Sequence, residues 1–292
     1  MRVSRRDLFK TGGMAGLALG AGALGSWVPR LRAAAPKVKI GVTDWNLRKT
    51  MDIAAVELAR TLGFDGVEVS LGRNAGEQLP AADPALQQKY LEESRKHSLP
   101  LPSTCLDVLH RNYLKNDPLG RRWVADSIGV TKALGARVIL LPFFGKGALQ
   151  TQQEKDYVGD VLREVAPEAE KAGVVFGLED TISAEDNVRI MDRAKSPAVL
   201  TYYDVGNSTN NGFDILKEIR WLGKDRICEF HLKDNPNLLG HGKIDMPRVI
   251  DAIAEIGFEG WAHLETSSPR KNLEMDMSYN LGYVRALVQR QV

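Results

Sequence analysis

Four short segments in the second half of the chain each end on a residue able to bind a cation. GLED presents Glu179, YYDVGN presents Asp204, FHLKD presents His231 and HLETS presents Glu265. Taken singly, each is ordinary, because an acidic residue at the end of an element is more often a helix cap or a solvated loop residue. Taken together they imply a site. Three carboxylates packed against one another repel strongly, and a bound cation removes that repulsion. Three carboxylates and one imidazole make a hard, oxygen-rich donor set. Such a set favours one divalent ion, Mn²⁺ or Mg²⁺, leaves Co²⁺ and Zn²⁺ open, and disfavours a sulfur-based structural zinc. An octahedral ion held by four protein groups keeps two positions for substrate, which a carbonyl and a neighbouring hydroxyl of a polyhydroxylated molecule fit. Acting as a Lewis acid, the ion would stabilise an enediolate. Glu179 and Glu265 would then flank the substrate, one removing a carbon-bound proton and the other returning it.

Other residues fall where they would line the same mouth. Trp45, at the end of the first strand candidate, can stack on a sugar face or serve as a core aromatic. Glu68, ending the second, can reach a substrate hydroxyl or form a structural ion pair. Lys233 follows His231 by two residues and is a candidate substrate contact. His110 and Glu185 lie in loops expected on the same face. His263 shares strand parity with Glu265, so it points inward as a hydrogen-bonded core histidine. Cys228 has the opposite parity to His231 and is expected to face the helices, without a disulfide to Cys105.

The elements that must position these residues alternate in type. Strand candidates are Val38–Trp45, Gly66–Leu71, Leu101–Val108, Arg137–Phe143, Val174–Asp180, Val199–Asn207, Ile227–Asp234 and Gly260–Thr266. Helical patterns lie between them: Asp52–Leu62, Pro84–His97, Arg121–Leu134, Gln153–Ala172, Glu185–Ala194, Ile215–Leu222, Pro247–Ile256 and Leu273–Gln289. Gly63, Gly135, Gly173 and Gly257 stand where helix C-terminal caps are needed. Strands separated by helices pair in parallel through right-handed crossovers, and eight such units over about 250 residues make one (β/α)₈ TIM barrel. A doubly wound open sheet would announce a Gly-rich phosphate turn after its first strand, and Val42–Asn46 has none. In a barrel the C-terminal ends of the strands form one mouth, so four consecutive strand ends would converge.

Composition narrows the function further. The 292 residues are 43% hydrophobic and 26% charged, enough for a large core. The net charge of +2 is set by the N-terminus, where Arg2, Arg5, Arg6, Lys10, Arg30 and Arg32 face Asp7 alone. The remaining chain carries 33 basic against 36 acidic residues, a net charge of −3, which makes nucleic acid a poor partner. Residues 1–35 read as an export signal: SRRDLFK with its consecutive arginines, a Gly/Ala-rich mildly apolar run from Gly12 to Trp27, and small residues at Ala33–Ala35. The run is too short and weakly apolar for a stable membrane anchor. The expectation is therefore recognition by the twin-arginine export machinery, delivery to the periplasm or medium, and a barrel over residues 36–292. Assembly into a homo-oligomer is left open.

The body resembles the xylose-isomerase-like TIM barrels of the sugar-phosphate isomerase/epimerase family, from Val38 to about Leu287. The ligand order Glu, Asp, His, Glu is similar to that of the ketose 3-epimerases within it. Further matches are FDGVEVSL around Glu68, HLKD at His231–Asp234, and LGHGKIDMPRVIDAIAEIGFEGW. The resemblance implies that Glu179, Asp204, His231 and Glu265 bind the metal, with Glu179 and Glu265 also the acid/base pair. It departs from the family's pattern at Asn207, where a substrate-binding histidine is usual, at Asn235–Asn237, where an arginine is usual, and at His241. The implied reaction is isomerisation or epimerisation of an unphosphorylated sugar or sugar derivative. A lyase that expels a β-substituent from the same enediolate, as in inosose dehydration or 3-keto-glycoside cleavage, is the alternative. A non-catalytic sugar-binding protein would not require the carboxylate pair. The endonuclease-type relatives need many histidines and a basic face, and this chain has five histidines.

Overall fold

A computed structural model describes residues 38–290. The expected export segment, residues 1–35, lies outside the described residues. Eight strands, β1 (Val38–Thr43), β2 (Gly66–Ser70), β3 (Ser103–Cys105), β4 (Val138–Pro142), β5 (Val175–Glu179), β6 (Val199–Asp204), β7 (Ile227–Leu232) and β8 (Gly260–Leu264), form a closed parallel barrel in sequence order. Closure is made by β8 against β1, with Val38 level with Gly260 and Val42 level with Leu264. The helices are α1 (Ala54–Leu62), α2 (Pro84–His97), α3 (Pro118–Ala133), α4 (Gln152–Ala172), α5 (Ala184–Ala194), α6 (Val205–Asn210), α7 (Ile215–Leu222), α8 (Met246–Glu255) and α9 (Leu273–Gln289). None of the described helices is long and apolar enough to cross a membrane.

Local chemistry explains the boundaries. The longest helix, α4, starts on a capping box in which Thr151 Oγ1 accepts from the Glu154 N–H at 3.2 Å while Glu154 Oε2 accepts from the Thr151 N–H at 2.9 Å. It closes on Gly173 at φ 71°, and Gly63 closes α1 at φ 92°. These left-handed conformations cost a residue with a Cβ, and Gly135 and Gly257 take them too. All eight strands are shorter than the sequence pattern predicts, β3 and β6 by the most. β3 gives way after Cys105 because Asp107–His110 winds into a 3₁₀ turn. β6 stops at Asp204, not Asn207, because Asp204 caps the short helix α6.

Two apolar layers hold the barrel. The larger fills the space between sheet and helices, with Val67, Val69, Phe176, Phe230 and Leu264 of the strands meeting Val56, Leu162, Ile219 and Ile253 of the helices. The smaller, Cys105, Val138, Leu140 and Tyr202, packs inside the barrel with Val175 and Cys228. The expected outward direction of Cys228 is thus corrected. The β6–β7 register jumps from Thr201 level with Ile227 to Tyr202 level with Glu229, so Cys228 is an extra residue and strand parity fails there. Both Cys105 and Cys228 are free thiols. Above this layer the interior turns polar. His263, fully buried and inward as expected, faces Glu229 Oε2 at 3.2 Å and Ser103 Oγ at 3.3 Å. Its ring fits because β1 has glycine opposite: a Cβ on Gly41 would lie 2.4 Å from His263 Nδ1.

Candidate metal centre

Glu179 is the last residue of β5, Asp204 the last of β6, His231 the fifth of β7, and Glu265 follows β8 directly. Each offers one ligand atom, and these four atoms lie within 4.8 Å of one another. Register accounts for the convergence. Asp204 is level with His231, and His231 with His263. Side chains level in a parallel sheet point the same way, and the next inward pair up the barrel is Lys233 and Glu265.

Each ligand is aimed by a neighbour. Asp204 Oδ1 accepts from the Asn207 N–H at 2.7 Å as the cap of α6, which turns Oδ2 toward the other ligands. Its Oδ2 lies 3.6 Å from His231 Nδ1 and 2.7 Å from Lys233 Nζ. His231 Nε2 faces Glu68 Oε2 at 3.0 Å, while Nδ1 faces Glu179 Oε1 at 3.0 Å and Glu265 Oε2 at 3.5 Å. With Nε2–H donated to Glu68, the Nδ1 lone pair is the one an ion can use, the usual arrangement of a carboxylate behind a metal-binding histidine. Tyr202 O–H donates to the same Glu68 oxygen at 2.9 Å. Trp45 Nε1–H donates to Glu265 Oε1 at 2.9 Å, Lys233 pairs with its other oxygen, and Asn207 Nδ2–H donates to Glu179 Oε1 at 3.3 Å. Lys233 can lie across the centre because residue 206 is glycine: a Cβ there would come within 2.5 Å of Lys233 Cγ.

The charges depend on one another. Burial pushes the Glu179 carboxyl up to about 8, against the pull of His231. Burial opposes ionisation of Asp204 too, but Lys233 and His231 outweigh it and hold that carboxyl well below the usual range. Burial works against a charge on His231, yet Glu179, Glu265 and Glu68 raise it far above the ordinary histidine range. Lys233 is likewise held charged, with Asp204 and Glu265 outweighing its burial. So dense an acidic cluster demands positive charge. Three carboxylate oxygens around one imidazole nitrogen fit a hard divalent ion, the donor set being rich in oxygen and free of sulfur.

A cavity of about 470 Å³ opens over this cluster, within the size range of small-molecule sites. Trp45, His110, Asn207 and Lys233 line it together with Glu179 and Glu265, as the sequence predicts. Trp45, Asn207 and Lys233 do so with their polar atoms already engaged by ligands. Two candidates lie elsewhere. Glu68 is 0% exposed and sits behind His231, so it is removed from any substrate by the histidine it orients. Glu185 is exposed in the first turn of α5, away from the cavity wall, where its charge suits the helix N-terminus. Sequence reasoning missed Thr50, Arg73, Asp107 and Phe144, which also line the cavity. Asp107 has the inward parity of Ser103 and Cys105 and was readable on that ground. Arg73 and Phe144 sit in loops without periodicity.

The sequence matches the family model described as xylose isomerase-like TIM barrel over residues 56–287. The chain belongs to this family. Solved structures of similar fold include an L-ribulose 3-epimerase, with TM-score 0.72 and 16% identity over 87% of this chain and 95% of that one. The 3-keto-D-glucoside 4-epimerase from E. coli gives TM-score 0.70 and 15% identity over 86% and 100%. The IOLI protein with a binding zinc atom gives TM-score 0.70 and 17% identity over 87% and 99%. No curated protein sequence matches the chain. Within the xylose isomerase-like barrels, the mouth formed by the C-terminal strand ends is thus the place where this member gathers its ligands and its cavity.

Proposed function

We propose that this xylose isomerase-like barrel is a metal-dependent isomerase or epimerase of an unphosphorylated sugar or sugar derivative. The convergence of Glu179, Asp204, His231 and Glu265 within 4.8 Å at the floor of a cavity carries the reading. The epimerase identity of similarly folded proteins supports it. A divalent ion bound there, Mn²⁺ or Mg²⁺ ahead of Co²⁺ or Zn²⁺, supplies a Lewis acid that polarises a substrate carbonyl. The chain's own residues do the rest. Glu179 and Glu265 stand three strands apart around the barrel, so they reach a substrate between them from different sides. One takes the proton from the carbon next to the carbonyl, leaving an enediolate, and the other returns a proton. Trp45 and Lys233 hold Glu265 in place, and Asn207 holds Glu179. Incubation of metal-loaded protein with ketoses and keto-sugars in D₂O checks the reading. The expected result is deuterium at the carbon beside the carbonyl in an otherwise unchanged or epimerised sugar; no incorporation with any keto-sugar would reject it.

The domain reading goes with it: residues 1–35 as a twin-arginine signal and the barrel as the exported enzyme. The adjacent Arg5 and Arg6 motivate this assignment, and export suits an unphosphorylated substrate, because phosphorylated sugars are kept in the cytoplasm. Replacing both arginines with lysine is expected to hold the precursor in the cytoplasm. Unchanged yield outside the cytoplasmic membrane would rule out the twin-arginine route.

A further inference from the structure

Two of the candidate ligands have only one oxygen to offer. Asp204 Oδ1 is occupied by the Asn207 N–H at 2.7 Å, and Glu265 Oε1 by the Trp45 indole N–H at 2.9 Å. What remains for the centre is Asp204 Oδ2 and Glu265 Oε2, at 3.6 Å and 3.5 Å from His231 Nδ1. The Lys233 ammonium contacts the same two oxygens, lying 2.7 Å from Asp204 Oδ2 and pairing with Glu265 Oε2. Its place is built into the fold. Lys233 stands just beyond β7, two residues after His231, and its stem crosses the space that a Cβ at Gly206 would fill. The Lys233 side chain is 12% exposed and that of Asp204 1%, so water screens the pair little. An oxygen shared between an ammonium and a divalent ion brings two positive centres within a few ångströms. In a site so poorly screened they repel.

We propose that Lys233 is a built-in competitor for the divalent ion, a counter-cation that shares Asp204 Oδ2 and Glu265 Oε2 with it and so sets how tightly the barrel holds its metal. This rests on the reading above that Glu179, Asp204, His231 and Glu265 bind one ion. Before the ion arrives, the ammonium answers two of the three carboxylates, so the mouth of the barrel keeps its shape without metal. Once the ion is bound, the ammonium repels it across the shared oxygens, and the ion is held less tightly than the four ligands alone would hold it. Occupancy of the centre, and with it the chemistry, then follows the free concentration of divalent metal. Lys233 differs in this from Trp45. Both steady Glu265, but the indole N–H brings no net charge. Loss of the ammonium tightens the metal, whereas loss of the indole N–H only loosens a ligand.

Calorimetric titration of the metal-free full chain with Mn²⁺ tests this, with wild type, Lys233→Met and Trp45→Phe compared at one pH and ionic strength. Lys233→Met keeps the reach of the stem and removes the charge. It is expected to bind Mn²⁺ at least ~10-fold more tightly than the wild type, the lower end of what groups behind metal ligands contribute. Its metal-free form is expected to unfold at lower denaturant concentration than the metal-free wild type, a deficit that saturating Mn²⁺ narrows. Trp45→Phe is expected to bind Mn²⁺ no more tightly than the wild type. Lys233→Gln, also uncharged, is expected to match Lys233→Met in sign and serves in its place if the Met variant does not fold. A lysine that merely steadied Glu265 would weaken binding when lost, so unchanged or weaker Mn²⁺ binding by the folded variant overturns the proposal. Equal tightening in Trp45→Phe overturns it too, because charge would not be the cause. No Mn²⁺ bound by either the wild type or the Lys233 variant would sink the metal reading itself, and this proposal with it.

Discussion

Glu179→Gln and Glu265→Gln are each expected to lose turnover by ~10²-fold or more while keeping bound metal, because each change preserves shape and one oxygen for the ion but removes the proposed proton acceptor. The surroundings accept the amide at both positions, at the loss of one hydrogen bond at Glu265. At Glu265 the amide oxygen takes the place of Oε2, which faces His231 and Lys233, and Trp45 N–H gives up its bond to Oε1. Lys233 keeps Asp204 Oδ2 as its partner at 2.7 Å. At Glu179 the carboxyl is 3% exposed and Asn207 Nδ2–H donates to its Oε1, a bond that an amide oxygen can still accept. The two variants are expected to differ in D₂O. The one lacking the abstracting group shows no exchange of the substrate C–H, whereas the one lacking the returning group still exchanges. Metal content and turnover measured together decide the matter. If excess Mn²⁺ restores full rate to both variants, the glutamates are ligands alone and the acid/base assignment fails.

Asp204→Asn and His231→Ala are expected to lower bound divalent metal from one per chain to well below one, and to differ in what else they disturb. Asp204→Asn keeps an oxygen for the Asn207 N–H, so α6 retains its cap and the fold holds. His231→Ala strips Glu68 of its charged partner, leaving a fully buried carboxylate with only Tyr202 O–H. Breaking a buried pair from one side costs about 3–5 kcal/mol, so this variant should unfold at clearly lower denaturant concentration. Elemental analysis and equilibrium denaturation read the two effects separately. Full metal occupancy in both variants would refute the site as drawn.

The legible parts of this protein were those that short-range chemistry governs. Alternation of β-branched runs with amphipathic stretches gave all eight strands and eight of the nine described helices, several to the residue, as with Pro84–His97 and Ile215–Leu222. Glycines that take positive φ marked the helix ends. The four candidate ligand types, each at a strand end, were sufficient to expect these side chains to meet at one mouth of a barrel, and they do lie within 4.8 Å of one another. The remaining helix, α6, was hidden because YYDVGN reads as continuous strand until Asp204 turns one oxygen onto the Asn207 N–H. Cys228 was misdirected because a bulge shifts parity without leaving a mark in composition.

What only the tertiary structure decided is which partner each polar side chain found. Glu68 reads as a substrate contact on its own strand, yet it lies 163 residues from the histidine that occupies its oxygen. Trp45 and Glu265 meet across 220 residues because β8 closes on β1. Glu185, close in sequence to Glu179, turns out to solvent with the first turn of α5. His110, Asp107, Arg73 and Phe144 come from three separate loops that share a wall only after closure. Element type follows from backbone sterics and hydrophobic period, which act over a few residues and so can be read along the chain. The pairing of buried polar groups follows from strand order, register and the need to satisfy every charge removed from water, and those are fixed only when the barrel closes.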